Sequence, residues 1–423
     1  MIETLVLADD LTGAADCAVS CATAGADTVV VFGANADFGQ ATVVSVDLNT
    51  RAMTAQDAGA AARSAVRQLY SHDTRILYHK IDSTLRGNWT TELSHIRQVA
   101  SHGLGHAPLV ILAPAFPAMG RATVGGHIRV NGRPLESTEL WRPTASVRSA
   151  DLRSILADVG FPVGTVSLDQ IALGADALTV QFAELAKAGC GAVICDAETD
   201  DHLLVIAFAS LSLPEKPLWV GSAGLMRALV RAREGEFIPR TIPSRAAAKP
   251  ILVVVGSAST VSLTQSDVLA EEEGVISLSI LPSALREGSL REQAEPYAKA
   301  LDAALSSGAD VLVTIRGEPV NFQEGPQIAA NLAKLIGPRL CRAGGLIVTG
   351  GETARAILDE AGISALKVYG ELEPGAPFGV AIGDIAVPVV TKAGAFGDRM
   401  TLKRCRAVLR GDRDVGSNSV ISS

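Results

Sequence analysis

Short β-branched runs alternate with Ala/Leu-rich stretches of helical period along almost the whole chain, and this rhythm constrains the fold more than any other feature. Neighbouring parallel strands cannot be joined by a tight turn. They need a crossover, usually a helix, so the rhythm predicts an α/β fold with mostly parallel sheets. Strands are expected near 4–9, 27–32, 42–47, 75–81, 108–113, 191–196 and 217–220, then near 251–255, 275–280, 310–315, 345–348, 366–369 and 385–391. Helices fall between them: 12–24, a segment reaching about Leu69, 89–100, 178–188, 202–211 and 223–234, then 259–272, 289–306, 325–336, 353–361 and 399–409.

Two stretches interrupt the rhythm. From Gly120 to Trp141, RATVGGHIRVNGRPLEST reads as a hairpin or long loop with NG at its turn, and so long an excursion is usually functional. Around 238–250, IPRTIPSRAAAKP joins three prolines to small residues, the composition of a linker. A chain of 423 residues exceeds what one core fills, so two α/β domains are expected, residues 1–240 and 250–423, with the ligand cleft between them. The closing GDRDVGSNSVISS reads as a frayed tail.

Charge and cysteine usage narrow the partner. The formal net charge is −8 with no long Lys/Arg run, which argues against nucleic acid or an anionic membrane. No window is apolar over the eighteen or so residues needed to span a bilayer, so a cytoplasmic protein with a small-molecule ligand is expected. Six cysteines lack CxxC spacing, against both a disulfide framework and a zinc ribbon. Cys17 and Cys21, one helical turn apart, read as small buried helix residues. His102 and His106 sit in SHGLGH, whose glycines suggest a surface loop.

In open α/β sheets the ligand lies beyond the carboxyl ends of the strands. Four such ends in the first half are polar: LVLADDLTG, SVDLNTR, YHKIDSTLRGN and LAPAFPAMGRAT. Adjacent strand residues face opposite sides, so Asp9 and Asp10 share a target only if the strand has already ended; one is expected to hold the structure and the other to face the cleft. A carboxylate repels phosphate but accepts hydroxyls of a sugar or polyol and can take a proton from one. Helix capping by Asp10 or Thr12 is the alternative. Lys80, Arg86 and Arg51 suit a carboxylate substrate, Arg by bidentate contact and Lys as a point charge, against the alternative of solvated surface positions.

The second half carries glycines at its strand ends: VVVGSASTVSLTQ, LIVTGGETARAIL and VVTKAGAFGD. Backbone amides at such helix N-termini favour anions, and glycine lets a phosphate approach closely. No GxxxxGK[ST] occurs, and no GxGxxG follows the first strand of either domain. The expected division of labour is acid-sugar recognition in the first domain and phosphate recognition in the second.

Taken in order, ADDLTGAAD, KIDSTLRGN, APAFPAMGRAT, NGRPLEST, GSAGL, GSAS followed by TQ, GGETARAIL, GELEPGAPFG and VVTKAGAFGD resemble the motifs of the four-carbon acid sugar kinases across residues 4 to 402. The resemblance implies phosphorylation of the terminal hydroxyl of threonate, erythronate or 3-oxo-tetronate by ATP with Mg²⁺, through an N-terminal substrate domain and a C-terminal nucleotide domain. It implies substrate contacts from Asp10, Arg51 and Lys80, Ile81, Asp82 and Ser83, and ATP contacts from Ser257, Gly350, Gly351, Glu352, Thr353 and Gly397. Arg86 is added from its charge. Asp10 is the expected catalytic base with Asp82 as rival, and the Mg²⁺ ligands and a homodimer are left open. The TKAGAFGD ending and GELEPGAPFG look more like threonate and erythronate kinases than the 3-oxo-tetronate type. Two other classes fit the same residues: an NAD-dependent hydroxy-acid dehydrogenase, against which the missing GxGxxG counts, and a sugar-acid sensor without turnover.

Overall fold

The computed structural model describes residues 1–143, 147–236, 250–256, 259–286, 293–319, 321 and 324–411. The expected linker, apart from Pro250, and the expected tail beyond Gly411 lie outside the described residues. The chain divides into two compact units, Met1–Arg240 and Thr241–Ser423.

The first unit opens with β1 (Thr4–Ala8), α1 (Leu11–Thr23), β2 (Thr28–Phe32), β3 (Val43–Asp47), α2 (Ala55–Leu69), β4 (Ile76–Lys80), α3 (Trp89–Leu104) and β5 (Val110–Ala113). Three short strands follow: β6 (Arg121–Val124), β7 (His127–Val130) and β8 (Arg133–Pro134). The unit continues through α4 (Leu152–Asp158), β9 (Val163–Val166), α5 (Leu168–Ile171), α6 (Ala175–Lys187), β10 (Ala192–Cys195), α7 (Asp200–Leu211), β11 (Leu218–Gly221) and α8 (Ala223–Arg231). The long strands run in the order β2-β3-β1-β4-β11-β5-β10-β9 with every pair parallel. All five residues of β1, β3 and β4 are buried, as helices on both faces of a parallel sheet require. Val6, Tyr78, Ile111, Val193 and Trp219 pack in one core with Leu225 and Leu229 of α8.

Beyond β1 the chain turns through α1 to β2 on one side, and beyond β4 it turns through α3 to β5 on the other. β1 and β4 are neighbours, with Ala8 opposite Lys80. Diverging connections from adjacent strands open a crevice, so the topology places it beyond Ala8 and Lys80.

The second unit runs β12 (Ile251–Val255), α9 (Thr260–Ala270), β13 (Val275–Ile280), α10 (Glu295–Ser306), β14 (Asp310–Ile315), α11 (Gly325–Ile336), β15 (Gly345–Thr349), α12 (Gly351–Glu360), β16 (Ile363–Glu373), β17 (Ala376–Gly383), β18 (Pro388–Lys392) and α13 (Thr401–Arg410). Its strand order is β13-β14-β12-β15-β18-β17-β16, parallel except for the antiparallel pairs that β17 makes with β16 and β18. β12 leads away to β13 and β15 leads the other way to β16, which makes a second crevice beyond the paired ends Val255 and Thr349.

Several elements differ from expectation. The strand expected at 366–369 spans Ile363–Glu373 and pairs with β17, which the sequence reading missed because APFGVAIG carries a proline and two glycines. Gly379 is needed there: a Cβ would stand 2.7 Å from the Lys367 carbonyl oxygen. α4, β9 and α5 fill a stretch where no element was expected, and α3 runs on to Leu104, so His102 is helical rather than in a loop. Cys17 and Cys21 are buried on α1. The NG turn forms between β7 and β8, with Asn131 at φ 49° and Gly132 at φ 77°, the left-handed pair of a tight hairpin turn.

Candidate active site

β1 ends at Ala8, so Asp9 and Asp10 are free of strand alternation and meet on one cation. Arg51, four residues past β3, gives its Nε and Nη2 to the two oxygens of Asp9 at 2.7 and 2.8 Å, and its Nη1 pairs with Asp10 Oδ2 at 2.8 Å. Asp9 is buried, and Asp10 keeps 21 % of its side chain exposed. Burial pushes the Asp9 carboxyl up from its ordinary pKa against the pull of Arg51. For Arg51, burial works to lower the pKa, but Asp10 and Asp9 outweigh it and hold the guanidinium charged. Asp10 is also the N-cap of α1, its Oδ1 accepting from the Gly13 amide at 2.9 Å. Capping and facing the crevice are thus compatible.

Lys80, the last residue of β4, is buried beside this pair. A Cβ on Gly13 would lie 2.6 Å from Lys80 Nζ and 2.8 Å from Asp10 Oδ1, so glycine at that position leaves the room both groups use. Burial favours the neutral amine, yet the charges of Asp10 and Asp9 raise the Lys80 pKa above its ordinary value. Its ammonium forms no ion pair among the described residues.

The loop after β4 folds around Asp82. Its carboxylate accepts from Arg86 Nε at 2.7 Å and Nη2 at 2.9 Å, from the amides of Thr84 and Arg86 at 3.3 Å each, and from the Thr84 hydroxyl. Burial alone would raise its pKa, but hydrogen bonding from Arg86, the charges of Arg51 and Arg86, and the Thr84 hydroxyl hold it far below the usual carboxylate range. Leu85 adopts φ 61°, unfavourable for a bulky residue, and its fully buried side chain secures the turn. Ile81 is wholly buried, its amide donating to the Gly221 carbonyl at 2.9 Å, and Ser83 is half-buried. Beneath the crevice Glu92 of α3 accepts from Thr50 at 2.6 Å and meets His79 Nε2 at 2.9 Å, all three buried. One carboxylate thereby fixes the residues that precede Arg51 and Lys80.

The second crevice is shaped by close backbone approach. A Cβ on Gly256, just past β12, would collide with Thr353, so this strand end lies directly against the first turn of α12. Gly350 leads into α12 at φ 92° and donates its amide to the Lys392 carbonyl at 2.9 Å. Among the described residues no side chain caps α12, which leaves first-turn amides at Gly351, Glu352 and Thr353 for an outside acceptor. Glu352 is exposed and Thr353 buried.

Lys392, ending β18, donates to the carbonyls of Ala393 and Phe396 at 2.9 Å and of Gly394 at 3.4 Å. Burial pulls its pKa down to about 8. Gln265 of α9 donates to Phe396 and Asp398 carbonyls at 3.0 and 2.7 Å, and Ser262 to that of Gly394 at 2.8 Å. The 393–398 loop is held mainly by its carbonyls, with Arg404 of α13 pairing Asp398 at 3.0 Å. Gly397 takes φ 81°, where a Cβ would collide with Thr401, and Phe396 occupies the space that a side chain at Gly375 would need. The GELEPGAPFG turn and the GAFG loop therefore interlock.

Residues 4–229 match the sugar-binding N-terminal domain family, and residues 252–402 the nucleotide-binding C-terminal domain family. The chain is 42% identical to the D-threonate kinase of Cupriavidus necator, over 94% of its own length and 96% of that protein's. It belongs to the four-carbon acid sugar kinase family. A 3-oxo-tetronate kinase of Methylobacterium radiotolerans is 30% identical over 88% of this chain and 90% of that one. The crystal structure of a Haemophilus influenzae protein matches with TM-score 0.77 at 21% identity, covering 96% of this chain and all of that one, a likeness of fold.

Within this four-carbon acid sugar kinase the structure brings Asp10, Arg51, Lys80, Asp82 and Arg86 together at the first crevice, and Gly350, Gly351, Glu352 and Thr353 together at the second, with Gly397 in the loop after β18. Ser257 lies outside the described residues. GSAGL serves packing: a Cβ on Gly221 would stand 2.5 Å from the Ala113 carbonyl and one on Gly224 2.7 Å from that of Ala115, while Ser222 donates to the same Ala115 carbonyl at 2.7 Å. Sequence reasoning missed Arg121, which opens β6 and lies in the field of Asp82 and Arg86. Its signal was present in the GRAT of the long excursion. The same hairpin is pinned to the sheet by Asp196, just past β10, which accepts the amides of Gly125 and Gly126 at 2.8 and 2.9 Å.

Among the described residues no helix is long and apolar enough to cross a membrane.

Proposed function

We propose that the protein is an ATP-dependent kinase that phosphorylates the terminal hydroxyl of D-threonate, ahead of D-erythronate and 3-oxo-tetronate. The observation that carries this reading is the 42% identity, across nearly both full lengths, with a D-threonate kinase, against 30% for a 3-oxo-tetronate kinase.

Phosphoryl transfer asks little covalent chemistry of a protein; it needs an in-line hydroxyl, charge neutralisation and exclusion of water. Asp10 supplies a carboxylate oriented on two sides, by Arg51 and by the Gly13 amide, and still partly open to the crevice. In this reading it accepts the terminal hydroxyl and takes its proton as the oxygen attacks phosphorus. Asp82 is the weaker base: Arg86 and Thr84 occupy both its oxygens and its pKa is held low. Lys80 places a positive charge beside Asp10, suited to the developing charge of the reaction. On the nucleotide side, the uncapped amides of Gly351 to Thr353 and the loop at Gly397 receive phosphate oxygens. Magnesium fits as a companion of the nucleotide. Among the described residues no three His, Cys, Asp or Glu side chains are arranged to hold a metal ion by themselves, and this ion needs only one or two carboxylates beside phosphate oxygens and water.

An ADP-release screen over D- and L-threonate, D- and L-erythronate and 3-oxo-tetronates tests the reading. ADP release with D-threonate at the highest kcat/KM supports it; nicotinamide reduction without ADP release, or acid binding without turnover, overturns it.

A further inference from the structure

The first crevice holds three carboxylates, Asp9, Asp10 and Asp82, and its cations are already committed to them in a definite way. Arg51 spends its guanidinium on Asp9 and Asp10, and Arg86 spends its fork on Asp82. Lys80 balances the third carboxylate through the field of Asp10. A further cation, Arg121, borders the cluster.

Arg121 follows Gly120, whose φ of 66° turns the chain into β6, and its backbone is locked in a two-way bridge with Phe116 at 2.9 and 3.1 Å. Its side chain is half-buried. Among the described residues its one side-chain hydrogen bond goes from Nη1 to the Met119 carbonyl, and its buried Nε has no partner. Burial lowers its pKa from the ordinary value, with Asp82 and Arg86 both within electrostatic range. The hairpin that carries it is fastened at its far end by Asp196 and by the bridge between Thr123 and Ala197, so the residue is held rather than trailing in solvent. A desolvated guanidinium with an unused donor and no carboxylate is costly unless an anion completes it.

We propose that Arg121 is the residue that grips the carboxylate of the sugar acid, leaving Arg51 and Arg86 to hold the protein's own aspartates. This rests on the kinase reading above and adds to it the group that distinguishes an acid from a neutral polyol. Three cations against three carboxylates make a neutral crevice for the hydroxyl chain, and Arg121 is the surplus charge that matches a monoanionic substrate.

The test compares R121A, R121K and R129A with the wild type. Arg129 pairs opposite Ala122, so it lies on the other face of the same hairpin and serves as control. R121A is expected to raise the KM and calorimetric Kd for D-threonate by roughly 10–100-fold, the range for a lost charge-assisted contact, with kcat and the Kd for ATP within about threefold. R121K, keeping the charge without the fork, should fall between. R129A should bind threonate as the wild type does. If R121A does not melt as a folded protein, R121K decides the matter. Unchanged threonate affinity in the folded variants, or equal loss of threonate and ATP affinity, overturns the assignment while wild-type turnover leaves the kinase reading standing. A wild-type protein that neither binds nor phosphorylates any four-carbon acid overturns both.

Discussion

At the ends of β1 and β4 the chain gathers charge; at the ends of β12 and β15 it gathers glycine. The two crevices arise from the same topological device, adjacent parallel strands whose connections diverge. What differs is the means of construction. The first is held by side chains: Arg51 spans two aspartates, Arg86 clamps Asp82, and Glu92 ties Thr50 to His79. The second is held by backbone: Gly256 against Thr353, Gly350 donating to Lys392, and loop carbonyls taken by Lys392, Gln265 and Ser262. A polyol acid needs oriented acceptors and charges, whereas phosphate needs amides at close range. Fold position says where a ligand goes, and the residue types placed there say which one. Buried ion pairs are a poor way to gain stability, since apolar replacements are often neutral or better, so their concentration at one strand end points to function.

The largest expected effect probes the first crevice alone. Asn at position 10 can still cap α1 through its side-chain oxygen, so Asp10→Asn removes the base without removing the cap. We expect kcat to fall by about 10²–10⁴-fold, the usual worth of a general base, with a melting temperature near that of the wild type and ATP affinity unchanged. Near-normal kcat would reduce Asp10 to a gripping residue. An equal loss of ATP affinity would break the separation of roles between the crevices.

Gly256→Ala probes the second. A Cβ there collides with Thr353, and overpacking of this kind costs about 1–3 kcal/mol when strand and helix must move apart. The nucleotide KM should rise by about tenfold as the α12 amides shift, while calorimetric affinity for the sugar acid stays as it was. Loss of acid affinity in this variant, with its fold intact, would show that the two crevices are not independent.

How much of this was legible beforehand follows from what each feature depends on. The parallel strands were readable because their β-branched runs are buried on both faces, as with VVSVD and ILVVV. Asp10 was readable because it sits next to a strand end, a local property. The fate of Arg86 was not: its fork goes to Asp82 four residues back, an arrangement that depends on Leu85 adopting a left-handed backbone that nothing in a leucine announces. Arg121 was missed because its nearness to Asp82 depends on a hairpin fastened to Asp196 and Ala197 some seventy residues on, a long-range fact absent from local pattern. β17 was missed because its glycines and proline read as loop, although Gly379 is there to admit the Lys367 carbonyl of its neighbour.

The smallest expected effect concerns Lys392, a buried charged group that the second crevice uses in its own construction. Lys392 titrates at about 8 in the folded chain because burial disfavours its charge, whereas an unfolded lysine titrates near 10.4. Between these values the unfolded state binds more protons, so the stability contributed at this position rises with pH across that window. Below about pH 8 the buried charge weighs against the fold in full; as pH climbs toward 10 that cost is relieved. Lys392→Met lacks the titration. The melting temperature of the wild type relative to Lys392→Met should therefore move in favour of the wild type between pH 8 and pH 10, by about 2–4 °C, the shift that 1 kcal/mol produces in a domain of this size. The neutral amine can still donate two of its hydrogen bonds, so nucleotide affinity should weaken only a few-fold over the same range, and less than it does on Lys392→Met. A flat difference in melting temperature would mean that the ammonium is solvated rather than enclosed by the Ala393, Gly394 and Phe396 carbonyls, and Lys392 would no longer stand as a buried charge within the backbone-built crevice.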